Sequence, residues 1–125
     1  MGRIAGDLGE RSFAFALNVL SLIDDLPDGT AGWVLGKQLT RSGTAVGASI
    51  READHAITDA DFAYKCSIAR KEAAESQYWM ELCIAADLLS GEAVNDTIRE
   101  ADELTHILAS LVKRTQAHIT RSKHK

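Results

Sequence analysis

Residues 58–91, TDADFAYKCSIARKEAAESQYWMELCIAADLLSG, decide the fold. Thr58 offers a hydroxyl cap, and Asp59 and Asp61 place acids in a first helical turn. Ser90-Gly91 closes the segment. Between these marks Phe62, Cys66, Ala69, Ala73, Met80 and Cys83 recur at helical spacing,. A second row of Ile68, Trp79, Leu82, Ala86 and Leu89 runs beside the first. The spacing predicts a helix over 59–89, about 45 Å long. Upstream, Asp24-Asp25 followed by Pro27-Asp-Gly29 reads as a turn,. It separates helices expected at 6–25 and 30–56. Downstream, Val94, Ile98, Ala101, Leu104, Leu108, Leu111, Val112 and Ile119 predict a fourth helix at 92–120,. Short connections between long helices force antiparallel neighbours. The expectation is an all-α, up-down-up-down four-helix bundle occupying residues 1–125 as one domain.

Composition agrees with that class. Of 125 residues, 46% are hydrophobic and 26% charged, which suits a globular core and excludes a disordered chain,. The length excludes a large multi-domain enzyme. Net charge is −4, but its distribution is uneven. No acid follows Glu103, so residues 1–112 hold nine basic and eighteen acidic groups, a net −9. The stretch 113–125 carries Lys113, Arg114, Arg121, Lys123 and Lys125. An acidic body is a poor general nucleic-acid binder, which leaves this basic tail as the place for phosphate contacts. Cations there also complement a helix dipole. No window approaches the roughly 20 apolar residues of a membrane span, and the first residues lack a signal-peptide core. A cytoplasmic protein is expected, with Cys66 and Cys83 as reduced core cysteines.

Two helices carry more than a core stripe. Phe13-Ala-Phe-Ala-Leu17 is apolar on consecutive positions, so a second face of helix 1 is greasy,. Gly43-Thr-Ala-Val-Gly47 puts two costly glycines on one face of helix 2, where another helix can approach closely,. Together they predict a homo-oligomer.

The candidate chemistry is sparse. Glu52-Ala-Asp-His55 and Glu103-Leu-Thr-His106 are both Glu-x-x-His, the inventory of a di-iron bundle,. Depth separates them: reflected about the turns, the motifs lie at least 14 residues apart, roughly 20 Å. A dinuclear site holds its metals about 3.5–4 Å apart. No metal and no cofactor are expected. The same reflection sets Arg41 level with residue 73, beside Gln38, Ser42, Glu72 and Glu75. These form a predicted polar cluster that fixes helix register, since buried charges must be paired. Glu52 and Lys65 form a second predicted pair. Two close carboxylates also suit acid-base chemistry, so the alternative is a small metal-dependent or acid-base enzyme using buried carboxylates. No nucleophile elbow, zinc pattern or phosphate loop is present.

One ordered set of residues adds to this. Leu35-Gly-Lys-Gln-Leu-Thr-Arg-Ser-Gly-Thr-Ala-Val-Gly-Ala-Ser-Ile-Arg-Glu-Ala53 is followed by Asp61-Phe62, Lys65, Ile68-Ala-Arg-Lys-Glu72, Glu75 and Tyr78-Trp79. Leu26-Pro27 and Ile107-Leu-x-x-Leu-Val-Lys-Arg-Thr115 complete it. The set resembles the small bacterial four-helix-bundle proteins encoded by intervening sequences in 23S ribosomal RNA genes. Those in turn resemble the accessory factor of diversity-generating retroelements. Ser49 stands where the family usually has asparagine. The resemblance implies a ring-shaped homo-oligomer, a pentamer, without catalysis. It also implies partners that are nucleic acid or a nucleic-acid-binding protein. The expected function is a non-enzymatic, self-assembling interaction module.

Overall fold

The Thr58 hydroxyl accepts a hydrogen bond from the Asp61 amide at 3.0 Å, and with Asp59 and Asp61 in its first turn the third helix starts where its cap dictates,. The computed structural model describes residues 2–123. Four helices follow in order: α1 Leu8–Asp24, α2 Thr30–Asp54, α3 Asp59–Ala85 and α4 Glu92–Lys123. Each packs on the next, and α4 returns to α1, with no close backbone approach across the diagonal among the described residues. Ion pairs mark antiparallel register: Arg41 meets Glu72 midway along α2 and α3, and Lys65 meets Glu52 near their shared turn.

Three of the predicted helices stop earlier, and α4 runs later. The third ends at Ala85 rather than 89. Asp87 adopts a left-handed conformation with φ 58°. The Leu88 amide donates to the Cys83 carbonyl at 2.8 Å and the Asp87 amide to Ile84 at 3.0 Å. This is a Schellman stop with aspartate where glycine is usual. It turns Leu89 back into the core, 6% exposed, which is why the apolar row continues past the helix end. The second helix ends at Asp54 rather than 56, its last turn tightening through hydrogen bonds from the His55 amide to Glu52 and the Ala56 amide to Ala53, and the N-terminal arm docks on that turn. There the Arg3 amide donates to the Asp54 carbonyl and the Ile4 amide to the Asp54 carboxylate. The first helix spans 8–24 instead of 6–25. The fourth continues to Lys123 instead of stopping at 120, and at 32 residues it is about 48 Å long,.

The interior is filled by Phe15 and Val19 of α1, Leu39, Val46 and Ile50 of α2, Cys66 and Met80 of α3, and Leu104 and Leu108 of α4. The glycine face of α2 is turned inward, onto α1. A Cβ on Gly43 would lie 2.8 Å from a Val19 methyl carbon, and one on Gly47 would lie 3.4 Å from Ser12. The close approach that these glycines permit is therefore made within the chain. That corrects the expectation that the small-residue face serves a subunit contact.

Candidate interaction surfaces

The predicted polar cluster comes together at the α2–α3 seam. Arg41 donates from Nη1 to Glu72 Oε2 at 3.1 Å and also engages Glu75. Gln38 Oε1 accepts from Arg41 at 3.3 Å. Glu75 accepts a further hydrogen bond from Trp79 Nε1 at 3.0 Å. Glu72 is buried, Glu75 half-buried, and the Arg41 side chain half exposed. Ser42 sits apart from the ions. Its hydroxyl lies 2.8 Å from that of Ser76 inside the core. Chemically this arrangement locks register: each carboxylate is engaged by the guanidinium, and Glu75 is pinned a second time by an indole. The Glu52–Lys65 pair forms at 3.0 Å, and the hydrogen bond to Glu52 raises the Lys65 pKa.

The two Glu-x-x-His motifs stay apart. Glu52 faces Lys65, whereas Glu103 lies 3.4 Å from Arg11 and His106 lies on the exposed face of α4. Among the described residues no three histidine, cysteine, aspartate or glutamate side chains group as metal ligands. Cys66 and Cys83 are unbridged and buried, and burial pushes the Cys66 thiol up to about 11.

Of the basic tail, Lys113, Arg114, Arg121 and Lys123 are exposed on α4. Lys125 lies outside the described residues. His118 Nε2 stands 3.6 Å from Asp59, so position 118 is level with the start of α3. Residues 119–123 therefore project past that helix by about 7 Å. Beneath this spur a groove of about 570 Å³ opens between the N-terminal arm and the last turns of α4.

Several features escaped the sequence reading. Arg11 of α1 holds Glu100 of α4 through two hydrogen bonds, at 2.6 and 3.0 Å. Arg3 donates to the Ala56 and Ile57 carbonyls and to Asp59, and it covers the Phe62 ring at 5.8 Å. These partners are far apart in sequence and joined by no short turn, so no reflection pairs them. The greasy second face of α1 was legible, and it remains uncovered. Phe13 is 58%, Leu17 54% and Leu20 43% exposed, three and four residues apart on one face. On α2, Trp33 is 65% exposed with Lys37 Nζ 4.5 Å from its ring centre. Trp33, Ile23 and Gly36 line a groove of about 590 Å³ at the α1–α2 seam.

The family model described as 23S rRNA-intervening sequence protein matches residues 7–110. Among solved structures, the chain is similar to a protein with unknown function from the S23 ribosomal protein family of Bacteroides thetaiotaomicron VPI-5482. The TM-score is 0.79 and the identity 37%, over 85% of this chain and 98% of that one. Among curated proteins none matches.

Proposed function

This chain belongs to the family of 23S rRNA-intervening sequence proteins, and we propose that it acts without catalysis, as a cytoplasmic, self-associating helical module whose basic helix end contacts nucleic acid. The observation that carries the reading is the uncovered apolar face of α1. Phe13, Leu17 and Leu20 are turned to solvent although α1 already buries Phe15, Val19 and Leu22 on its other side. A helix of a lone small bundle keeps a wet face. A second apolar face favours a subunit contact. Glu72 and Glu75, the candidate catalytic carboxylates, are engaged by Arg41 and serve the register of the bundle. Cys66 and Cys83 lie about 25 Å apart along α3 and serve as core residues,.

The subunit number of five and the ring shape come from the family resemblance. In a cyclic ring whose bundles run along the symmetry axis, the ends of α4 share one face. Five tails with five basic residues each then concentrate cationic charge there, and weak individual contacts add through avidity. Such binding falls steeply with salt and shows little sequence preference.

Light scattering tests the assembly. A mass several times 13.5 kDa is expected, and Leu17→Glu is expected to reduce it. A concentration-independent monomer from the parent chain overturns self-association. For the tail, a chain ending at Thr115 is compared with the intact one at low salt. Undiminished binding by the shortened chain refutes the tail as the site. No binding by the intact chain removes nucleic acid and leaves a protein-protein role.

A further inference from the structure

The groove below the basic spur has a composition that a bare phosphate does not need. Its floor includes Phe62, Ile107 and Leu111, and its rim carries Arg3, Arg114 and His118. It is an open groove of about 570 Å³ and not an enclosed cavity, so an occupant would keep one side in water. Arg3 is held rigidly. Its edges donate to two carbonyls and to Asp59, and its guanidinium carbon stands 5.8 Å from the Phe62 ring centre. The side chain keeps 31% of its surface exposed, and that part is what an occupant can meet. Arg114, His118 and Arg121 follow at steps of four and three, so they form one stripe along α4 about 10 Å long,. Two acids also reach the groove, Asp7 and Asp59. Asp59 is already paired with Arg3 and lies 3.6 Å from His118. An anionic group is therefore favoured beside Arg114.

A flat apolar body with a phosphate on one side fits this arrangement. We infer that the groove takes one unstacked nucleobase of a single-stranded nucleic acid, with the flanking phosphates following the Arg114–His118–Arg121 stripe. The inference rests on the reading that the end of α4 contacts nucleic acid. It adds a choice between strands. A base can enter an apolar groove and stack on a guanidinium plane only when it is free of its complement. A duplex presents phosphates to the stripe but no base to the floor.

The test measures fluorescence anisotropy of the full-length protein, in its native assembly, at low salt. The probes are mixed-sequence single-stranded RNA and DNA of about 20 nucleotides and the matching duplexes. Single strands are expected to bind at least tenfold more tightly than duplexes. Ile107→Lys is the informative variant, because charge alone predicts tighter binding to every probe. Loss of the apolar floor instead brings the single-strand to duplex ratio close to one. If circular dichroism shows that Ile107→Lys does not fold, Leu111→Gln, the other half-buried floor position on α4, gives the same readout. A parent ratio near one, or a ratio the variants leave unchanged, overturns the groove site while tail binding stands. Failure of the intact protein to bind any probe overturns both.

Discussion

Gly43 and Gly47 are one helical turn apart on the same face of α2, yet replacing each by alanine should have opposite consequences. In an isolated helix either change gains about 1 kcal/mol of propensity. Packing decides the sign. At Gly47 the new methyl would meet Ser12 atoms at 3.4–3.5 Å, an ordinary contact, so Gly47→Ala should stabilise by about 0.5–1 kcal/mol,. At Gly43 it would lie 2.8 and 2.9 Å from the two Val19 methyls and 3.1 Å from Val19 Cβ. Rotating Val19 does not relieve this, because its Cβ is itself too close, and Val19 is fully buried. The two helix axes must separate. Overpacking of this kind costs about 1–3 kcal/mol. The net expectation for Gly43→Ala is a loss of about 1 kcal/mol. Urea denaturation followed by circular dichroism measures both variants, at one subunit concentration because assembly shifts apparent stability. Val19→Ala in the Gly43→Ala background removes the two methyl contacts at 2.8 and 2.9 Å and leaves only the 3.1 Å contact with Cβ, so most of the clash should go, giving a favourable coupling of about 1 kcal/mol in the double-mutant cycle. A Gly43→Ala protein as stable as the parent, or zero coupling with Val19, would refute a helix approach as close as this.

Arg41→Leu should destabilise more than Glu75→Leu. Losing the arginine leaves buried Glu72 facing Glu75 without a counter-ion, about 2 kcal/mol after allowing for the exposure of Arg41,; losing Glu75 leaves the Arg41–Glu72 pair, and thermal melts with equal or reversed losses would show the cluster to be arranged differently. Asp87→Gly should stabilise by about 0.5 kcal/mol, because glycine occupies the left-handed position at φ 58° without steric cost,; a lower melting temperature would mean that the aspartate side chain supports the stop. The Arg3 guanidinium holds the Asp59 carboxyl below the ordinary value of 3.8. The pairing therefore contributes stability throughout neutral pH and loses it as pH falls through the depressed folded value; a carboxyl NMR titration that places Asp59 at or above 3.8 would exclude the arm's docking.

Depth along the bundle was legible because antiparallel helices share one rise per residue. Distance from a short turn then converts directly into level. Arg41 and Glu72 are counted from the Ala56–Thr58 connection, and the structure sets them 3.1 Å apart. Glu52 and Lys65 follow the same count and meet at 3.0 Å. The rule has no purchase where no short turn exists. Arg11 and Glu100 are 89 residues apart, on helices that meet only because the bundle closes. Nor does it describe ends. The row of Leu82, Ala86 and Leu89 continues a helical rhythm, but Asp87 breaks the helix and the buried leucine belongs to the return turn.

Rotation about the helix axis is the harder quantity, and α1 and α2 show why. Small residues on α2 announce a close neighbour without saying which one. A face of Gly43 and Gly47 suits α1 of the same chain as well as a helix of another copy. Only Val19 and Ser12, seated against them, decide for α1. Once α2 takes that side of α1, and Arg11 turns another side toward Glu100 of α4, the remaining arc of α1 has no neighbour left in the chain. Phe13, Leu17 and Leu20 occupy that arc. The glycines and the exposed leucines are therefore one fact about the rotation of α1. The small face that seemed to offer an interface is consumed in seating α1, and seating α1 in this way is what turns its second apolar face outward.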